Sequence, residues 1–145
     1  MPRTERTRLA RGANLAGALL LAACAGVPRP DADPATTFIV VRHAEKIDAS
    51  RDPGLSATGQ ARAQALAGLL AGEPLAAAYA TEFQRTQQTA LPSAEAHHLA
   101  VTRYPAGSPA IAFADQLRAT HPRASVLVVG HSNTVPAIVA ALCRC

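Results

Sequence analysis

Four short apolar runs divide the chain, and between them lie segments too long and too polar-faced to be turns. Thr36–Val41 is a continuous β-branched and apolar run, Leu75–Ala80 and Val101–Tyr104 are shorter ones, and Ser125–Val129 (Ser-Val-Leu-Val-Val) is the strongest strand candidate. Runs without polar alternation read as strands buried on both faces. The segments between them carry helical spacing. Strands joined by helical crossovers imply a mostly parallel central sheet with helices on both faces, an α/β three-layer sandwich.

The helices are placed as follows. Ser56–Ala71 is the first, capped by Ser56 or Thr58, with Ala61, Ala65, Leu66, Leu69 and Leu70 as its apolar face and Gly72 as its stop. Glu82–Ala90 opens the second, which Pro92 should kink or restart before it runs to His98. Pro109–Thr120 is the third, and Asn133–Leu142 the last, with Pro136 tolerated in its first turn. Alanine supplies 34 of the 145 residues, and Trp is absent. The interior should therefore pack small side chains against helices.

Open parallel sheets hold ligands at the carboxyl ends of their strands. Arg42-His43-Ala44-Glu45-Lys46 follows the first strand, Thr81-Glu82-Phe83-Gln84-Arg85-Thr86 the second, and Gly130-His131-Ser132-Asn133-Thr134 the fourth. Two arginines, two histidines and a lysine thus converge on one sheet edge. This set suits phosphoryl transfer. Planar guanidinium groups grip phosphate oxygens, a neutral imidazole can attack phosphorus, and a second imidazole, protonated, can stabilise the transferring group. No metal is required if enough cations are fixed in place.

These three blocks, in this order, resemble the signatures of the histidine phosphatase (phosphoglycerate mutase-like) superfamily, over about residues 36–142. The resemblance implies that His43 is the nucleophile and becomes phosphohistidine. It implies that Arg42, Arg85 and His131 form the phosphate pocket and that Lys46 adds a substrate contact. Ser56–Gly59 is similar to the family's structural helix start. The implied activity is hydrolysis of phosphate monoesters or phosphohistidine, with no cofactor and no metal. The substrate is then a small phosphorylated molecule or a phosphoprotein; short loops at Ile47–Leu55 and Pro105–Pro109 suggest an open site. A proton donor for the leaving group is expected from Glu82, three residues before Arg85, in preference to Asp115. Glu45 is expected to pair with Lys46 or Arg42, while His97, His98 and His121 read as helix-end residues. Family members continue into a further strand where this chain reads Ala-Leu-Cys-Arg-Cys, so a sheet lacking its last strand is expected. A catalytically inactive, membrane-tethered phosphate-binding module from a truncated gene is the alternative.

The N-terminus reads as an address. A basic stretch, Met1–Arg11, precedes an apolar run, Leu15–Ala23, in the pattern of a secretory signal. Leu21-Ala22-Ala23-Cys24 resembles a bacterial lipobox, which implies a lipoprotein signal peptide over residues 1–23 and lipidation of Cys24. Ala25, in place of Asp, points to outer-membrane sorting, facing the periplasm. Residues 24–35 carry Pro28, Pro30 and Pro34 and read as an extended tether. Residues 36–145 form the folded domain. Without Arg3, Arg6, Arg8, Arg11 and Glu5 the formal charge falls from +4 to +1. No basic, aromatic-laced surface remains to support nucleic-acid binding. Cys143 and Cys145, two apart, are not expected to bridge. Gly130-His131-Ser132-Asn133-Thr134 is also close to a G-x-S-x-G nucleophile elbow, but its fifth position is Thr134, and no acid or histidine follows.

Overall fold

A computed structural model describes residues 35–144. The signal peptide, Cys24 and all of the tether except Ala35 lie outside the described residues. The order of elements is β1 (Thr37–Arg42), α1 (Ala57–Leu70), β2 (Leu75–Thr81), α2 (Gln84–Ala96), β3 (Val101–Tyr104), α3 (Ala110–Thr120), β4 (Ser125–Gly130) and α4 (Val135–Cys143). The strands form one sheet in the order β1-β4-β2-β3, with every pairing parallel. The chain first runs outward from β1 to β3, then returns to insert β4 between β1 and β2. That reversal creates the crevice at the carboxyl ends of β1, β2 and β4.

β4 is buried along its whole length, as its run of valines requires. Its side chains alternate between two cores. Leu127 and Val129 join Leu70, Leu75, Ala78, Ala80, Ala90 and Ala94 on the side of α1 and α2. Val126 and Val128 join Tyr79, Tyr104, Phe113, Leu117 and Ile138 on the side of α3 and α4. The expected three-layer sandwich is therefore present, with alanine-rich packing on one face and aromatic packing on the other.

Several local expectations need correction. The buried face of α1 is Gly59, Ala63, Ala67 and Leu70, whereas Leu69 is 81% exposed and Ala61 and Ala65 face solvent. The cause is close approach. A Cβ on Gly59 would clash with the carbonyl oxygen of Glu45 and lie 3.0 Å from its nitrogen. Only a glycine-and-alanine stripe lets the helix come so near. Ser56 supplies the cap, its hydroxyl accepting from the Gly59 N–H at 3.1 Å. α2 starts at Gln84 rather than Glu82, and it runs through Pro92 without restarting. Its Thr86, Thr89, Ala90, Ser93 and Ala94 are buried, so tertiary packing holds the helix across the proline. α4 starts at Val135 because the Thr134 hydroxyl accepts from the His131 N–H at 3.0 Å and closes a turn first. The expectation that Cys143 and Cys145 do not bridge turns on Cys145, which lies outside the described residues.

Candidate active site

Strand ends deliver the first two functional side chains. The sheet ladder continues one residue past β1, with His43 N–H donating to Gly130 O at 3.0 Å. This fixes the start of the Arg42–Lys46 segment against the end of β4. The segment is then tied to α2, since Ala44 N–H donates to Thr89 Oγ1 at 3.0 Å and Thr89 Oγ1 donates to Arg85 O at 2.7 Å. Gly130 sits in tight surroundings. A Cβ there would stand 3.1 Å from both Thr134 Oγ1 and Tyr104 Oη. Tyr104 Oη donates to Val129 O at 3.3 Å, and burial, with the Glu82 charge, pushes its pKa up to about 12.

His43 and His131 meet edge to face, with ring centroids 5.4 Å apart. His43 Nδ1 lies 2.7 Å from Ala44 O. A carbonyl only accepts, so Nδ1 carries the proton and Nε2 keeps the lone pair. Burial lowers the pKa of His43. Arg42, Arg85 and Lys46 lower it further, against the raising effect of the Ala44 hydrogen bond. Burial and then the charges of Arg85 and His43 also lower His131, with Glu82 opposing. Both rings thus favour the neutral form.

Arg85 comes from the first turn of α2 and is 14% exposed. Its guanidinium stacks on Phe83, 4.4 Å from the ring centroid. It reaches His131 Nδ1 at 3.5 Å and Arg51 O at 3.4 Å, with Asp52 at 3.9 Å. Its Nε is buried with no hydrogen-bond partner among the described residues. Asp52 caps α2 from another segment, accepting from Gln84 N–H at 2.8 Å. Phe83, the residue preceding α2, offers no capping side chain. Gln88 Oε1 accepts from Leu55 N–H at 2.7 Å and anchors the same loop.

Arg42, His43, Lys46, Phe83, Arg85 and His131 line a cavity of about 320 Å³, together with Ala106 and the Ser132–Thr134 turn. All five cationic or imidazole side chains picked out from the sequence therefore share one pocket. Glu82 does not line it; its carboxylate accepts from Ala106 N–H at 2.8 Å and ties the loop before α3 to the rim. Asp115 is on α3, paired with Arg118 at 2.6 Å. Glu45 is paired with Arg62, with Arg62 Nε donating at 2.7 and 2.9 Å, instead of with Lys46 or Arg42. Arg62 projects from α1 at the position that faces Glu45, and this geometry is invisible in a linear reading. His121 donates to or accepts from Tyr79 Oη at 2.8 Å, and His97 bonds the carbonyls of Ser93 and Glu73. Among the described residues no group of three His, Cys, Asp or Glu side chains could hold a metal ion.

The sequence reading missed the supports: Thr81, Thr86, Thr89, Phe83 and Asp52. The only signal for the threonines is their recurrence within one block, Thr81, Thr86 and Thr89.

Comparison with known proteins agrees with this geometry. Residues 38–106 match the model of the histidine phosphatase superfamily (branch 1). No curated protein sequence matches the chain. Among solved structures, the chain is similar to a mycobacterial glucosyl-3-phosphoglycerate phosphatase (TM-score 0.65, 17% identity, covering 74% of this chain and 79% of that one). It is also similar to SixA from Nakamurella multipartitia (TM-score 0.61, 29% identity, 73% and 66%). A third is the protein histidine phosphatase SixA complexed with tungstate (TM-score 0.61, 24% identity, 71% and 74%).

Proposed function

We propose that this chain, which belongs to the histidine phosphatase superfamily, hydrolyses phosphate monoesters or phosphohistidine through a phosphohistidine formed on His43. The observation that carries this reading is the state of His43. Its Nδ1 proton is committed to Ala44 O, so a neutral Nε2 is left beside three cations in one pocket. In the first step Nε2 attacks phosphorus, the new P–N bond forms, and the bond to the leaving oxygen or nitrogen breaks. Water then attacks the phosphoenzyme, releasing inorganic phosphate and restoring the imidazole. Arg42, Arg85, Lys46 and protonated His131 hold the equatorial oxygens as charge builds on them. The unspent Nε of Arg85 is a donor that a phosphoryl oxygen can satisfy.

Glu82 stands beside the pocket, at Ala106, as the proton donor for poor leaving groups. Phosphohistidine and aryl esters have little need of it. No step calls for a metal, so activity should survive a chelator. The lipobox-like residues before Cys24 support a lipid-anchored chain, and Ala25 after it supports sorting to the outer membrane, facing the periplasm.

His43→Ala should abolish hydrolysis of an aryl phosphate while leaving the thermal transition in place, and labelled substrate should leave an acid-labile, alkali-stable adduct on the parent chain. Retained activity in the variant would remove His43 from the mechanism. Phosphate binding by the parent chain without any turnover would leave an idle phosphate-binding module instead.

A further inference from the structure

His131 is held from behind by the Thr81 hydroxyl, which Thr86 in turn holds. Its Nε2 lies 2.9 Å from Thr81 Oγ1, and Thr81 Oγ1 lies 2.8 Å from Thr86 Oγ1. Thr86 Oγ1 donates to Phe83 O at 2.7 Å and is also within reach of Thr81 O at 3.1 Å. Thr81 and Thr86 are both fully buried. No solvent contact relieves these groups, so the direction of every bond can be worked out.

A hydroxyl has one proton. That of Thr86 is spent on backbone carbonyls, which only accept. Between the two hydroxyls the donor is therefore Thr81, and its proton goes to Thr86 Oγ1. Thr81 then has only lone pairs to offer His131, so the proton on that contact belongs to Nε2. A second constraint comes from the opposite side of the ring, where His131 Nδ1 faces the Arg85 guanidinium at 3.5 Å. Guanidinium donates and never accepts, so Nδ1 must be the bare nitrogen. The two constraints rest on different residues and agree.

We infer that Thr81 is a positioning residue that locks His131 as the Nε2–H tautomer and turns its Nδ1 toward the phosphate pocket. This rests on the reading of His131 as part of that pocket. The two histidines then have opposite tautomers. His43 is protonated on Nδ1 and attacks through Nε2; His131 is protonated on Nε2 and works through Nδ1. A bare Nδ1 repels a phosphoryl oxygen until it takes up a proton. Once protonated it donates to that oxygen, and Nε2–H still donates to Thr81. The ring therefore serves both charge states without turning over.

The test uses the chain with 15N-labelled histidine and long-range 1H–15N correlation spectra at a pH where the rings are neutral. His131 should show a protonated Nε2 and a bare Nδ1, with His43 the reverse. Thr81→Val keeps the shape but removes the acceptor. It should disturb the His131 pattern and lower kcat/KM on an aryl phosphate by about tenfold or more, as a misplaced histidine tautomer does elsewhere. Thr81→Ser should restore both. A His131 protonated on Nδ1 in the parent chain overturns the assignment, as does a Thr81→Val chain with unchanged spectrum and kinetics. The spectrum needs no turnover and no variant. If the tautomers are as stated but no phosphate is hydrolysed, the proposed function falls and Thr81 keeps its role. If hydrolysis proceeds with His131 reversed, the Thr81 assignment falls alone.

Discussion

Two glycines on one helix predict opposite outcomes for the same substitution. Gly59 and Gly68 both sit in α1, and neither has a positive φ. Alanine in place of glycine favours a helix by about 1 kcal/mol at either position. At Gly68 nothing lies within 4 Å of the new methyl group, so Gly68→Ala should stabilise the domain by about that amount. At Gly59 the methyl would run into the Glu45 carbonyl oxygen and stand 3.0 and 3.1 Å from Glu45 N and C. These are backbone atoms, and they cannot rotate aside. Ser56 N–H also bonds Glu45 O at 2.9 Å, so a shift there breaks a further contact. Overpacking of this kind costs about 1–3 kcal/mol, and the rigid neighbours put Gly59→Ala near the upper end. The helix-propensity gain is common to both variants and cancels in their difference. The two should therefore differ by about 2–3 kcal/mol, or about 10 °C in Tm for a domain of this size. Urea and thermal unfolding of the two variants measure this directly. Glu45 is two residues from His43, so Gly59→Ala should also lower kcat, while Gly68→Ala should not. Equal stability of the two variants would refute the close approach of α1 to the His43 loop.

Other expectations concern the pocket. Arg85→Lys should raise KM for an aryl phosphate at least tenfold, since an ammonium cannot stack on Phe83 and reach His131 and Arg51 O together; an unchanged KM would remove Arg85 from substrate binding. The proposed nucleophile must be neutral and its pKa lies below the ordinary 6.5, so kcat/KM should rise with pH along a limb below 6.5, and loss of the proton that His131 needs should bring a falling limb at higher pH. The same lowering means the unfolded chain binds the proton better, so stability should fall as pH drops through that window; a kcat/KM with no rising limb below 6.5 would contradict the assignment. Glu82→Gln should slow hydrolysis of alkyl phosphates about tenfold or more and leave aryl phosphates nearly unchanged, and equal losses on both would make Glu82 a structural anchor for Ala106.

The strands were legible because their composition leaves few options. Val126–Val129 cannot be placed anywhere but between two layers, and the structure buries all four. Strand ends ran one residue longer than expected at Arg42, Thr81 and Gly130, because ladder bonds extend as far as a partner backbone continues and do not depend on side-chain type. The pocket's cationic and imidazole side chains were legible because parallel topology gathers strand ends; Arg42 ends one strand, and His43, Lys46, Arg85 and His131 follow one. The α1 face was not. Helical periodicity permits a leucine stripe and a Gly59–Ala63–Ala67 stripe equally, and the choice between them was made by a contact with Glu45, fourteen residues earlier. The threonines were also hidden. Thr at a strand end reads as β-propensity and Thr in a helix as neutral, so a role that consists of where a hydroxyl proton points leaves no trace in composition.

The source of the pocket's positive charge can also be decided. A helix N-terminus is often an anion site, and α2 begins one residue before Arg85. Here the first free amide of that helix, Gln84 N–H, is already taken by the Asp52 carboxylate at 2.8 Å. A carboxylate at that position offsets the helix dipole, so the amide end of α2 contributes little attraction for phosphate. The positive charge of the pocket then comes from Arg42, Lys46 and Arg85. Arg42 and Lys46 are exposed, and no hydrogen bond or ion pair occupies their side chains among the described residues. Arg85 is the only one of the three held by neighbours, through Phe83, Arg51 O and His131. The pocket therefore combines one guanidinium fixed by its neighbours with two exposed cations that make no such contacts among the described residues.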